Sequence, residues 1–354
     1  MTHDLPDIAA ALVARGKGIL AADETPATLT RRFDAHGIPS TEENRRAYRE
    51  MLFSAKGAAE FIGGVILQDE TIHQKSSTGR PLIQLVTDQG ILAGIKVDAG
   101  AKPLAGSSGE TVTEGLDGLR ERLTDYHAMG ARFAKWRAVI RIGEAIPSRM
   151  CILANAHALA RYAALSQEQG LVPIVEPEVL MDGDHTIERC EEVTSQTLLA
   201  VFDALEEQAV TLEGMLLKPN MVVAGDDCAR QPDVDEVAFA TLRCLRRRVP
   251  AAVPGIVFLS GGQTSRLATA HLNAINRLPG PKPWAISFSF GRALQDDALT
   301  AWRGREEGVA AGRQAFVQRA RFNCAAALGK YTDESEDTLF TARASAPRRE
   351  LHDD

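Results

Sequence analysis

Lys218 stands where an apolar run, Gly214-Met215-Leu216-Leu217, meets Pro219 and Asn220. A lysine delivered by an apolar strand is out of place, because burying an ammonium without a partner is costly. Held at a strand end among other charges, its amine can add to a carbonyl and form a Schiff base. Similar segments recur. Phe133-Ala134 leads to Lys135 and Arg137, Ile174-Val175 leads to Glu176 and Glu178, and Ala21-Ala22 leads to Asp23 and Glu24. Side chains two apart on a strand share a face, so each spaced pair can enter one site. A free lysine, with a pKa of ~10.4, is less than ~0.1% neutral at pH 7. A neighbouring cation and desolvation can lower that value by ~3 units, equivalent to ~4 kcal/mol. Lys135 is the candidate cation for Lys218. Carbinolamine dehydration needs a proton donor and later steps a base, roles that Glu176 and Asp23 fit. Taken singly, these charges suit a salt-bridge network closing the top of a fold; several on neighbouring strand ends favour chemistry.

A second constellation is Ser260-Gly261-Gly262 with Gly291-Arg292. Glycines let backbone N–H groups approach a phosphate, and an arginine can bind its oxygens bidentately. A second phosphate would call on Lys96, Arg31, Arg32 and the hydroxyls of Thr25 and Thr28, although Arg31 and Arg32 also suit an exposed helix face.

Short apolar strands are expected at 18–23, 63–68, 91–97, 131–137, 172–176, 214–218, 256–260 and 284–290. Helical patterns lie between them, at 44–59, 113–129, 154–168, 186–208, 233–247 and 265–276; in 186–208, Val193, Thr197, Leu198, Val201, Phe202 and Leu205 recur at helical spacing. Eight β-α units predict an α/β fold, a single-domain (β/α)8 TIM barrel with its site at the carboxyl ends of the strands. Alternate strands supply one interior layer of a barrel, which sets Lys135 near Lys218 with Glu176 between them. An open doubly wound sheet is the competing fold, weakened by the absence of a Gly-x-Gly-x-x-Gly fingerprint after the first strand. The barrel is expected over 1–331. Residues 332–354 read as a flexible polar tail with Leu339-Phe340 as a docking point.

A net charge of −7 argues against a general nucleic-acid or anionic-membrane binder. No apolar run has membrane-span length, and the N-terminus carries no basic, apolar leader pattern. Five scattered cysteines read as reduced thiols of a cytoplasmic protein. Eight dispersed histidines offer no metal cage, so no metal and no cofactor are expected. Asp182-Gly183-Asp184-His185 reads instead as a turn opening a helix, capped by Asp or Gly.

Together these motifs resemble class I fructose-bisphosphate aldolase over roughly residues 5–331. The matching segments are Gly18–Glu24, Gly94–Asp98, Phe133–Arg137, Val172–Glu178, Leu216–Met221, Phe258–Gln263 and Ser287–Leu294. The resemblance implies a homotetrameric (β/α)8 barrel that cleaves fructose 1,6-bisphosphate reversibly to dihydroxyacetone phosphate and glyceraldehyde 3-phosphate. It implies a Schiff base on Lys218, acid/base work by Glu176, assistance to C3–C4 cleavage by Asp23, electrostatic help from Lys135 and support from Arg137 and Glu178. Ser260, Gly261, Gly291 and Arg292 would hold the phosphate nearest the carbonyl, with Lys96 and Arg32 at the other end. Two features depart from the family pattern. Thr25-Pro26-Ala27-Thr28 stands where Ser-Thr-Gly-Ser is usual, and the chain ends Leu351-His352-Asp353-Asp354 where animal members end in a catalytic tyrosine. Another lysine-dependent sugar-phosphate aldolase and a non-catalytic sugar-phosphate-binding scaffold are the alternatives.

Overall fold

The computed structural model describes residues 4–332 and Glu336. Eight parallel strands close into a barrel: β1 (Gly18–Ala21), β2 (Ile62–Leu67), β3 (Leu92–Lys96), β4 (Phe133–Ile140), β5 (Val172–Val179), β6 (Leu216–Leu217), β7 (Gly255–Phe258) and β8 (Ala285–Phe290). Closure between β1 and β8, through Ile19↔Ser289 and Leu20↔Phe290, excludes the open sheet.

Strand lengths differ from the expected ones in an informative way. β4 and β5 run in register through Ile140↔Val179, so Arg137 and Glu178 are strand residues and not loop residues. β6 has only two residues, preceded by a 3-10 turn at Leu212–Gly214. β1 stops at Ala21; Asp23 lies two residues on, and Thr25 caps the helix Pro26–Asp34.

The six expected helices appear at Glu42–Phe53, Leu119–Ala128, Arg149–Glu168, Ile187–Glu207, Val234–Arg248 and Ser265–Arg277. The Ile187–Glu207 helix buries the apolar stripe read from its spacing. Its cap is Thr186, whose hydroxyl accepts from Arg189 N–H, and not the preceding Asp or Gly. Residue 113, expected to begin a helix, ends a hairpin of Ala101–Pro103 and Thr111–Thr113; Gly115 and Gly118, both at positive φ, delay the helix to Leu119.

Apolar packing seals the amino-terminal end of the barrel. The helix Leu5–Leu12 lies across it, and a Cβ on Gly63 would meet Leu12 O at 2.7 Å. Inside, the Phe133 ring occupies the space that a side chain at Gly94 would need. Ile8, Leu12, Ile19, Phe133, Ile174, Leu216 and Val257 make this inner core, while a larger core lies between the strands and the helices outside. Of residues 332–354, Thr332 and Glu336 are described. Glu336 is fully buried against Arg319, and Tyr331 Oη donates to it at 2.6 Å. Leu339-Phe340 and the chain end lie outside the described residues.

Candidate active site

Alternation along the strands carries the interior from apolar to ionic. Ile19 and Ala21 lead to Asp23, Gly94 to Lys96, Phe133 to Lys135 and Arg137, Ile174 to Glu176 and Glu178, and Leu216 to Lys218. The upper residues line a cleft of about 950 Å³ at the carboxyl end of the barrel. The catalytic and phosphate-binding candidates read from the sequence line this cleft, except Gly262, which lies beside it.

Its centre is a carboxylate between two lysines. Glu176 Oε1 lies 3.1 Å from Lys218 Nζ, and Oε2 lies 3.0 Å from Lys135 Nζ. Lys135 Nζ is also 2.6 Å from Asp23 Oδ2. Lys135, Glu176 and Lys218 are each 3% exposed, so these contacts are little screened by water. Burial alone would raise the Asp23 carboxyl, but Lys135 and Lys218, with Lys96 beyond, pull it from 3.8 down to about 2. Burial likewise opposes ionisation of Glu176, and Lys135, Lys218 and Arg137 overcome it, holding the carboxyl below its ordinary value. Desolvation acts against the Lys135 ammonium, yet Asp23, Glu176 and Asp98 keep it well above the usual lysine range. Lys135 is therefore a fixed cation. The group beside the Lys218 amine is the Glu176 carboxylate, with Lys135 on its far oxygen.

Arg137 pairs with Glu178 across the top of β4 and β5. Lys96 pairs with Asp98 and donates to its carbonyl at 2.9 Å. Asp98 also accepts the Arg137 backbone N–H at 3.2 Å and Gly100 N–H at 3.1 Å, tying the ends of β3 and β4 together.

At one end of the cleft, Ser260 and Gly261 follow β7, and Gly291-Arg292 opens the helix Arg292–Trp302 after β8. Gly261 and Gly262 both take positive φ (55° and 92°), which glycine adopts without strain. A Cβ on Gly262 would also press on Met181 Sδ at 3.1 Å. After β1, Thr25 Oγ1 accepts from Thr28 N–H at 3.2 Å, a cap worth ~1 kcal/mol to the helix. Pro26 follows in the first turn, where its fixed φ and missing N–H cost nothing, so the unusual Pro-Ala pair is compatible with helix initiation. Arg32 is occupied by Glu24 and by Asp296 at 2.9 Å, and Arg49 holds Glu24 from behind.

Sequence reasoning gave no site role to Glu24, Asp98, Asp296 or Ser289. Glu24, Asp98 and Asp296 act by pairing with cations, which spacing along the chain does not reveal. Ser289 lines the cleft with its buried hydroxyl unpartnered; the Ser287-Phe288-Ser289-Phe290 alternation carried that signal. Among the described residues no group of three or more His, Cys, Asp or Glu could hold a metal ion, and no helix is long and apolar enough to cross a membrane.

Comparison with known proteins agrees with this architecture. The family description matching residues 4–346 is fructose-bisphosphate aldolase class-I. A probable fructose-bisphosphate aldolase class 1 of Xanthomonas campestris pv. campestris is 58% identical over 330 residues, covering 93% of this chain and 98% of that protein. Human fructose-bisphosphate aldolase C is 53% identical over 335 residues, covering 94% and 92%. The structure of fructose-bisphosphate aldolase from Plasmodium falciparum, in complex with TRAP and a small-molecule inhibitor, superposes with a TM-score of 0.92 at 49% identity, covering 94% of this chain and 96% of that one. A barrel of this topology, a charged cleft at its carboxyl end and identity of this extent place the chain in the class-I fructose-bisphosphate aldolase family of lyases.

Proposed function

We propose that Lys218 is the nucleophile of a Schiff-base cleavage of fructose 1,6-bisphosphate and that Glu176 moves the proton it needs. The observation that carries this reading is the Glu176 carboxylate, 3.1 Å from the Lys218 amine and held ionised, against its burial, by the cations around it. An ammonium on Lys218 passes a proton to Oε1, and the freed amine adds to the ketose carbonyl. Glu176, now an acid, returns the proton to the carbinolamine hydroxyl, which leaves as water. The product is a protonated imine, with no net change of protons.

Asp23 takes the C4 hydroxyl proton, the C3–C4 bond breaks, and its electron pair flows into the imine to give an enamine and a free aldehyde. A carboxylate held at about 2 is a weak base. It strengthens when the substrate hydroxyl displaces the Lys135 ammonium from it. Protonation at C3 and hydrolysis release the ketose half as dihydroxyacetone phosphate. Arg137 and Glu178 hold each other at the rim and keep β4 and β5 in place.

The Ser260-Gly261 turn with Gly291-Arg292 suits the phosphate nearest the carbonyl. Thr25, Thr28, Lys96 and Arg32 suit the distal one, which must compete with Glu24, Asp98 and Asp296 for its cations. A homotetrameric assembly and a cytoplasmic location are part of this reading, supported by the family and by the reduced cysteines. A barrel-terminal boundary near residue 331, with a tail beyond, also belongs to it.

Borohydride reduction with dihydroxyacetone phosphate, followed by peptide mapping, tests the central step. A stable adduct is expected on Lys218. Labelling of Lys135 would reverse the two lysine roles, and no adduct at all would favour a non-catalytic scaffold.

A further inference from the structure

On the reading that Lys218 carries the imine, we infer that Asn220 is a positioning residue that sets the separation of Lys218 from Glu176. β5 and β6 pair at Ile174↔Leu216 and Val175↔Leu217, and Lys218 N–H donates to Val175 O at 2.8 Å. Beyond that level each chain carries a proline, Pro177 beside Glu176 and Pro219 beside Lys218. Pro177 has no N–H to donate towards β6, and the Pro219 carbonyl is turned the other way, accepting Leu259 N–H at 3.1 Å, so among the described residues no backbone bond joins β5 to β6 past Lys218. Each of these strand ends is held by backbone bonds on its outer side, to β4 and to Leu259, and the gap between them needs another tie.

The Asn220 side chain takes the place of the missing ladder. Its Oδ1 accepts Val179 N–H at 3.0 Å, from the strand that holds Glu176. Its Nδ2 donates to Thr194 Oγ1 at 3.1 Å and to Met221 O at 3.0 Å. Asn220 and Thr194 are 5% and 3% exposed. An amide with its oxygen committed to an N–H and its nitrogen committed to two oxygens has a single satisfied orientation. The chain just past Lys218 is thereby fixed both to the end of β5 and to the helix Ile187–Glu207. Asn220 is absent from the lining of the cleft. It acts through the 3.1 Å contact between Glu176 and Lys218.

Misplacing a catalytic group by ~1 Å can cost ~10²-fold in rate. Asn220→Ala is expected to lower kcat by about that factor and to slow single-turnover trapping of the Lys218 imine equally, with KM for fructose 1,6-bisphosphate changed less than ~threefold. Thr194→Val keeps volume and Asn220 but removes one anchor, and is expected to lower kcat by roughly three- to tenfold. Rates are normalised to the folded fraction from near-ultraviolet circular dichroism. Imine formation at the wild-type rate per folded molecule in Asn220→Ala overturns the assignment. Should that variant not fold, wild-type kcat in Thr194→Val does the same. Mapping the adduct in the unaltered protein separates the two claims. An adduct at Lys218 with unaffected variants removes only the role of Asn220, whereas no adduct at Lys218 removes both.

Discussion

Glu176 Oε1 and Lys218 Nζ are 3.1 Å apart and equally buried. One proton moved across that distance discharges both groups, so the proposed freeing of the Lys218 amine also relieves the desolvation cost of two buried charges. Lys135 cannot substitute in this exchange, because Asp23 and Glu176 together hold its proton.

Replacing Glu176 by Gln keeps the shape and removes the proton acceptor. kcat is expected to fall by roughly 10²–10⁴. Borohydride trapping at Lys218 should slow by a similar factor while equilibrium binding of dihydroxyacetone phosphate is kept. Trapping at the wild-type rate would transfer the proton-accepting role to another group.

Two arginines that line the cleft, Arg292 and Arg32, should separate substrates. Arg292→Ala is expected to cost about 1.5–3 kcal/mol, roughly ten- to 150-fold in KM, with both fructose 1-phosphate and fructose 1,6-bisphosphate. Arg32→Ala should penalise only the bisphosphate, and by less, because Arg32 already has Glu24 and Asp296 as partners. Steady-state kinetics on the two substrates would reverse the placement of the phosphates if the pattern were exchanged.

His271 makes stability sensitive to acid. Its ring Nδ1 lies 2.6 Å from Gln263 Oε1, an oxygen that can only accept, so the neutral ring donates from Nδ1. Burial lowers this histidine from 6.5 to about 4. Between those values the unfolded chain binds a proton that the folded chain refuses. The contribution is intact above about pH 6.5 and is lost as pH falls towards 4, in total about 3 kcal/mol. Urea unfolding at pH 7 and at pH 4 should show wild type losing about that much more than His271→Asn. Equal losses would mean that the ring is already protonated in the fold or is not buried.

Glu336 accepts from Arg319 at 2.5 and 3.2 Å, and Arg319 keeps Asp297 as a second partner at 2.9 Å. Glu336→Ala should therefore destabilise by about 1.5–3 kcal/mol, the range for hydrogen bonds to charged groups, without loss of the fold. Truncation after Tyr331 should cost about the same and leave most cleavage activity. Melting curves and steady-state cleavage compare the two; a truncation that abolishes activity while Glu336→Ala does not would give the rest of the tail a part in the chemistry.

The barrel and its charged mouth were legible because strand parity is local. Phe133, Lys135 and Arg137 fall on one face by counting, as do Ile174, Glu176 and Glu178, and the structure puts both sets inside. Other features depend on partners distant in sequence. Arg32 reads as a free cation until Asp296, 264 residues away, is folded against it. Asn220 reads as the residue after a proline until Val179 turns its N–H towards it. The helix Val309–Ala327 buries alanine, glycine, arginine and asparagine beside two phenylalanines, a face without the aliphatic periodicity that marks the Ile187–Glu207 helix. Leu5–Leu12 is only two turns long, and its role as a lid under the barrel shows only once Gly63 is brought beneath Leu12.

That lid closes the floor of the cleft. Among the described residues Leu12 and Phe133 seal it, which leaves the mouth as the way for substrate, water and both trioses. Traffic must then be sequential. On the proposed imine at Lys218, the ketose half stays tethered while the aldehyde half departs first and clears the way for the water that releases its partner. In the condensation direction the same corridor requires the ketose to be seated before the aldehyde follows it in.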